Sequence, residues 1–320
     1  MTTIKLSLKG IGPLKEGIIE FRDGPTLLYG PNNSGKTTII RALNLALRLL
    51  SGFTVSTLDI RELINNESRE SSVEITINEH AYVININEKR ISITEGSQEL
   101  TSYQVAGPNI KLISILLQHY PILWVKPWSL RIDAPLEQGN PLEPWDLLMA
   151  SSLGIILNYY DISDHESRFA NIYSSYIKEV NDTLSQITDH RVELIKNNIF
   201  FKDISHYYSY NYTADGVKWI FMISASLALA NLLKNLEENP MNPIVVVETM
   251  ETGLHYDYIA ALINMLNEYK FPTILETHSG LALKLAYRGK LQYYIIEDGH
   301  IHSDLSSSTL FKSEMATYIE

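Results

Sequence analysis

The chain has 320 residues, 45% of them hydrophobic and 20% charged, with no cysteine and a net charge of −11. These values exclude a disordered tail, a collagen-like repeat and a disulfide-stapled scaffold. The acidic balance disfavours a surface that coats nucleic acid by bulk attraction, and the missing cysteines exclude a thiolate nucleophile or a cysteine-ligated zinc.

The first fifty residues read as three strands and a helix. Ile4–Leu8 alternates around Lys5, Ile18–Phe21 is a short apolar run, and Thr26–Tyr29 ends at Gly30. Thr37–Leu50 then carries Ile39, Ile40, Leu43, Leu45, Ala46 and Leu49 at helical spacing. Between Ser72 and Ile93 the period changes to two, in VEITI, YVINI and RISI, which predicts an antiparallel meander. Pro121–Lys126 reads as a buried strand. The Pro-rich stretch Pro127–Pro144 marks a boundary, and Trp145–Ile195 is expected to be helical, with an amphipathic repeat through Ile172, Tyr176, Ile177, Val180, Leu184 and Ile187.

Strand character returns at Ile199–Phe201 and in the Tyr-rich Tyr207–Tyr212. From Gly216 onward helices alternate with strands at Ile244–Val247, Thr273–Leu275 and Leu291–Ile296. That alternation predicts an α/β fold with a parallel core sheet, an antiparallel β meander and a helical lobe. The divisions expected are residues 1–142, 143–197 and 198–320. Trp219–Leu233, the most apolar stretch, is shorter than the roughly 20 residues a membrane span needs and carries Ser224, Ser226 and Asn231. It reads as a buried helix. With no leader-like N-terminus, the expected location is the cytoplasm.

The residues Gly30-Pro-Asn-Asn-Ser-Gly-Lys-Thr37 fit G-x-x-x-x-G-K-[ST] at every fixed position, between a predicted strand and a predicted helix. Phosphates need converging backbone N–H donors, and glycines permit the tight turn and close approach. In that P-loop reading Gly30, Asn32, Asn33, Ser34, Gly35, Lys36, Thr37 and Thr38 bind nucleotide. Lys36 reaches the β- and γ-phosphates and Thr37 ligates Mg²⁺. Pro243-Ile-Val-Val-Val-Glu248 supplies a carboxylate at the tip of a buried strand, the second place where magnesium is held. Thr273-Ile-Leu-Glu-Thr-His-Ser279 is another strand tip, placing His278 where a γ-phosphate is sensed.

The order GPNNSGKT, VVVETMETGLH, LETHSG resembles the ABC-type ATPase heads of the SMC, RecF and OLD group, and within it the compact AAA-family ATPases, whose opening is similar to IKLSLKGIGPLKEGIIEF. The resemblance implies a P-loop NTPase of ABC-head type, using ATP and Mg²⁺, in which two subunits sandwich nucleotide. It assigns Glu248 as the magnesium-side acid and His278 as the switch histidine. Glu251, Gly253, Leu254 and His255 match an E-x-G-L-H run. Thr213-Ala-Asp-Gly216 matches the signature segment, with Asp215 and Gly216 at the dimer contact. Gln118 is a weak match for a glutamine loop. Two positions depart from the family: Thr249 stands where a second acid orients the attacking water, and Ala214 where a serine contacts phosphate. Glu251 or His278 then covers the missing role, or turnover is slow.

Two functions follow as alternatives: a slow Mg-dependent ATPase that dimerises on ATP, or a nucleotide-gated scaffold regulating a partner nuclease or effector supplied in trans. A RecF-like DNA-repair clamp is a third. Residues 1–50 hold seven basic and three acidic side chains, among them Lys9, Lys15, Arg22 and Arg41, so a local DNA contact there is permitted. The length and the missing cysteines are expected to exclude the long coiled coil and zinc hook of some relatives, and a fused nuclease. Other features read as structural: His300-Ile-His302 as an exposed strand, Trp124 and Trp128 as packing, and Glu67–Glu70 and Glu237-Glu238 as solvated segments.

Overall fold

The computed structural model describes residues 3–64, 71–110, 113–116, 118–127, 129–133, 165–195, 198–236, 240–303 and 308–310. The boundary at 134–144, the first part of the helical region (145–164), Trp128, Glu67–Glu70 and Glu237-Glu238 lie outside the described residues. The chain packs as two units, one of residues 1–119 and 270–320 and one of residues 120–269.

In the first unit, chain order begins with β1 (Thr3–Ile11), β2 (Leu14–Arg22), β3 (Gly24–Tyr29) and α1 (Lys36–Ser51). The short β4 (Val55–Ser56), α2 (Thr57–Leu63), the meander β5 (Ser71–Ile77), β6 (His80–Ile86), β7 (Arg90–Glu95) and β8 (Gln98–Gln104), and β9 (Asn109–Ile110) follow. In the second unit come β10 (Ile122–Lys126), β11 (Ser129–Asp133), α3 (His165–Ile187), β12 (Arg191–Ile195), β13 (Asn198–Lys202), β14 (Tyr207–Ser209), α4 (Asp215–Lys234), β15 (Ile244–Val247) and α5 (Tyr256–Leu266). The chain returns to the first unit with β16 (Pro272–Thr277), α6 (Gly280–Arg288), β17 (Gln292–Glu297) and β18 (His300–His302).

The strands of the first unit run in the order β16-β3-β17-β18-β2-β1-β5-β6-β7-β8. β16, β3 and β17 are parallel, and Pro25–Tyr29 of β3 is buried without alternation, as in a strand covered on both faces. From β2 to β8, apart from the parallel β18–β2 contact, the pairing is antiparallel. The period-two sequences bury one face: Val73, Ile75 and Ile77 of β5, and Tyr82, Ile84 and Ile86 of β6. β8 (QELTSYQ) closes the sheet as an exposed, polar edge strand, which is why it shows no apolar alternation. α1 buries Ile39, Ile40, Leu43, Leu47, Leu49 and Leu50 and packs on β1 and β5. α2 is started by Ser56, whose Oγ accepts from Leu58 N at 3.1 Å.

In the second unit β10 pairs in parallel with β15 and antiparallel with β11. All of Ile244–Val247 is buried. α4 is apolar on every side and, among the described residues, is the helix long and apolar enough to cross a membrane. It packs instead on α3, β10 and β15, and Ser224 and Ser226 satisfy their hydroxyls on the carbonyls of Ile220 and Met222.

Two sequence expectations are corrected in this unit. The helix expected to run to Ile195 stops at Ile187, and Arg191–Ile195 forms β12, antiparallel to β13. Thr188 closes the helix on Leu184 O, and Asn181 bonds both N and O of Val192, so side chains turn the strand back along its own helix. The Tyr-rich strand is also shorter than expected: β14 ends at Ser209 and Tyr210–Tyr212 is a 3₁₀ turn with Tyr212 exposed.

Candidate functional site

β3 ends at Tyr29 and α1 starts at Lys36, so the glycine-rich motif from Gly30 is the strand-to-helix loop. Its shape is set by two left-handed residues, Asn33 at φ 62° and Gly35 at φ 111°. At Gly35 a side chain is strained by the dihedral, and its Cβ would also lie 2.8 Å from Leu14 Cδ2. Gly30 is required for close approach: a Cβ there would meet the carbonyl O of Ile296 at 2.4 Å and Ser34 Oγ at 2.8 Å. Thr38 packs beside the β1–β2 turn, where a Cβ on Gly12 would meet Thr38 Cγ2 at 2.8 Å.

Two observations show that this loop fits an oxyanion. α1 has no side-chain cap at its N-terminus, so its first amides keep their positive end for a ligand. Ser34 Oγ is buried and makes no hydrogen bond. Asn32 and Asn33 are exposed on the loop, whereas Lys36 is 3% exposed. The Lys36 ammonium donates to the carbonyls of Gly30 at 2.7 Å and Pro31 at 2.9 Å, which hold it folded over the loop.

The tip of β16 completes the site within the same unit. β16 lies in parallel register against β3, with Glu276 opposite Leu28 and Thr277 opposite Tyr29. The strand period sends Glu276 and His278 to the same side, toward the loop. His278 Nδ1 sits 3.0 Å from Gly30 O and 3.1 Å from Lys36 Nζ. When that nitrogen carries a proton it donates to Gly30 O, and when it does not it accepts from Lys36. Thr37 Oγ1 donates to Glu276 Oε1 at 2.9 Å and lies 3.2 Å from Oε2. Glu276 is 4% exposed. It was not among the sequence candidates, although the signal that marked Glu248 applies to it equally: a carboxylate at the end of a buried β-branched strand.

The second unit carries the remaining candidates. Glu248 follows β15, and its amide donates to Val125 O at 2.9 Å. Its Oε2 accepts from Trp124 Nε1 at 3.0 Å and meets Lys126 Nζ at 3.4 Å, with the same ammonium 4.4 Å from the Trp124 ring. Trp124 is thus both packing and an orienting donor for the acid. Thr249 has φ 53°, a left-handed dihedral that a β-branched residue rarely adopts. The turn after it is closed by Thr252 N to Thr249 O at 2.9 Å and Leu254 N to Glu251 O at 3.1 Å, so Glu251 stands within a tight double turn. His255 precedes α5 and faces Asp257 at 3.5 Å on the exposed surface.

Thr213 is buried and donates to Ser209 O, while Ala214 offers no cap to α4. Asp215 is exposed and pairs with Lys218 at 3.1 Å. Gly216 has a structural role: a Cβ there would lie 2.7 Å from Gly253 O. The Thr213–Gly216 segment and the Glu251–His255 turn therefore pack backbone to backbone. Gln118 is exposed in the loop before β10.

Of the basic residues near the loop in sequence, Arg22 pairs with Glu20 at 2.7 Å and Arg41 with Glu62 at 3.1 Å, while Lys9 and Lys15 are exposed. His300 and His302 have ring centroids 6.4 Å apart and are half-buried, not exposed. Among the described residues no group of three His, Cys, Asp or Glu is placed to hold a metal.

A family model described as an AAA domain matches residues 5–238. Among solved structures, an Smc head bound to the C-winged helix domain of ScpA is similar at TM-score 0.61 and 15% identity, over 93% of this chain and 95% of that one. An Smc head with an extended coiled coil, bound to the C-terminal domain of ScpA derived from Pyrococcus furiosus, is similar at TM-score 0.59 and 14% identity, over 100% of both chains. The recombination mediator protein RecF with ATP is similar at TM-score 0.51 and 13% identity, over 95% of this chain and 98% of that one. No curated protein matches the chain by sequence. The solved structures speak for the fold and the family model for the lineage: the chain belongs to the AAA-domain family, and its fold is similar to those of Smc heads and RecF.

Proposed function

We propose that the chain binds ATP on the Gly30–Thr38 loop and is a slow, Mg²⁺-dependent ATPase whose nucleotide state gates its association with a second copy. The observation that carries the reading is the cradle itself: an uncapped helix opened by left-handed Gly35, a buried hydroxyl without a partner at Ser34, and a buried lysine whose ammonium folds back onto the loop carbonyls. The loop amides and Ser34 hold phosphate oxygens. Lys36 exchanges the carbonyls of Gly30 and Pro31 for the β- and γ-phosphate oxygens, and His278, within reach of both Lys36 and Gly30, reads whether a γ-phosphate is present. Mg²⁺, when bound, supplies Lewis-acid charge on those oxygens. Thr37 offers it a hard oxygen donor, and the motif order gives Glu248 the role of the magnesium-side acid.

Hydrolysis forms a bond from water oxygen to the γ-phosphorus, breaks the bond to the bridging β–γ oxygen, and releases the water's proton. Thr249 orients a water but takes no proton, so turnover is slow unless Glu251 or His278 serves. The same residue favours a second reading, a nucleotide-gated scaffold that hydrolyses little and regulates a partner nuclease or effector. The Smc heads bound to ScpA pieces support the idea of a partner protein.

The test is ATP turnover and oligomeric mass, with and without ATP, for the natural chain and for Thr249→Glu. A rise in turnover in Thr249→Glu supports the crippled-site account; several turnovers per minute in the natural chain, unchanged by Thr249→Glu, overturns it. For the dimer, Asp215→Arg is the suitable variant, because its side chain is 67% exposed, whereas any side chain at Gly216 collides with Gly253. An ATP-dependent dimer that persists in Asp215→Arg removes the signature segment from the proposal.

A further inference from the structure

Glu276 is a buried carboxylate that neither the P-loop motif nor the acid after β15 accounts for. Its place follows from the backbone. β16 is hydrogen-bonded in register to β3, so its last residues end level with the start of the phosphate loop. The two-residue period then gives Glu276 and His278 the same face, His278 against Lys36 and Glu276 against Thr37. Both carboxylate oxygens lie within 3.2 Å of the Thr37 hydroxyl oxygen.

A carboxylate accepts only, so the hydroxyl proton must lie toward Glu276. The lone pairs of Thr37 Oγ1 then point away from the acid, free to face a cation. Partners that orient a ligand and raise its basicity strengthen a metal site without touching the metal. A buried negative charge next to a donor oxygen also favours a divalent cation by direct attraction, and disfavours a bare polyphosphate by the same force.

We propose that Glu276 is the positioning residue of this loop's metal site: it fixes the Thr37 hydroxyl as a donor and couples divalent-cation binding to nucleotide binding. The inference rests on the ATP reading above, and its test separates the two. The probe is Mn²⁺ in place of Mg²⁺, with free Mn²⁺ counted by electron paramagnetic resonance in the presence of a non-hydrolysable ATP analogue. Analogue binding in EDTA is measured alongside. The variants are Glu276→Gln, which keeps the shape and an acceptor but removes the charge, and Glu276→Thr, which serves if the first does not fold.

The expected result is a fall in Mn²⁺ affinity of about 10–100-fold in the variant, with analogue binding in EDTA as tight as in the natural chain or tighter. A merely structural role would weaken both together. Mn²⁺ affinity within twofold of the natural chain overturns the inference, as does a parallel loss of analogue binding in EDTA. Failure of the natural chain to bind the analogue with or without Mn²⁺ overturns the ATP reading, and this inference with it.

Discussion

Replacing Ser34 by alanine is expected to make the nucleotide-free protein more stable while weakening its hold on ATP. Ser34 Oγ is buried in the loop and has no hydrogen-bond partner. Burying an unpaired hydroxyl costs about 1–3 kcal/mol by protein mutational measure. Removing the oxygen forfeits only a few dispersion contacts of about 0.1–0.2 kcal/mol each. The balance is a gain of about 1 kcal/mol, or a rise of about 2–4 °C in the melting temperature of a unit this size. With ATP bound, the hydroxyl donates to a phosphate oxygen, and a hydrogen bond to a charged group contributes about 1.5–3 kcal/mol. Ser34→Ala therefore loses about tenfold or more in affinity, since each ~1.4 kcal/mol is a factor of ten. Differential scanning calorimetry without nucleotide and titration calorimetry with ATP give the two numbers. A Ser34→Ala variant less stable than the natural chain would show that the hydroxyl already has a partner, and the reasoning from an unsatisfied donor would fail.

Other expectations concern the backbone and the surface. Thr249→Asn relieves a left-handed β-branched residue, so it is expected to stabilise the second unit by about 1 kcal/mol; an unchanged urea midpoint would mean that Thr249 carries no strain. Gly30→Ala forces a Cβ against Ile296 O, and overpacking of that kind costs about 1–3 kcal/mol, read as a lower melting temperature together with lost ATP binding. Asp203 accepts from the amides of Ser205 and His206, which hold its carboxyl down at about 2 against the ordinary 3.8, with the Tyr208 hydroxyl adding to the effect. A depressed carboxyl stabilises the fold above its unfolded value and stops doing so as pH falls through the folded one. The β13–β14 hairpin should therefore lose amide-exchange protection between pH 3.8 and about 2, a loss that Asp203→Asn removes by lacking the titration.

The strongest parts of the fold were legible because each rests on local chemistry. The loop from Gly30 to Thr37 needs glycines, a lysine and a hydroxyl at fixed spacing, and the meander writes its period directly into Val73, Ile75 and Ile77. Harder to see were elements whose reasons lie elsewhere in the chain. β12 exists because Asn181, eleven residues before Val192, bonds that residue's backbone, and no periodicity in RVELI announces that. Gly216 matched a signature motif by sequence, yet its collision distance to Gly253 O shows a packing requirement that only the fold reveals. Glu276 is legible on the same terms as Glu248: it stands two residues before His278 near the end of a buried strand. Thr249 was recognised by its departure from a family pattern, but its left-handed dihedral belongs to the structure alone.

The central claim is that the Gly30–Thr38 loop holds ATP through Lys36. Titration calorimetry of ATP into the natural chain and into Lys36→Ala, with circular dichroism to establish that both are folded, tests it most directly. Truncating one partner of a buried charged contact costs about 2–5 kcal/mol, so the account predicts saturable 1:1 binding by the natural chain and a loss of about 30-fold or more in Lys36→Ala. Equal affinity in the two proteins, or no binding by the natural chain, would contradict it.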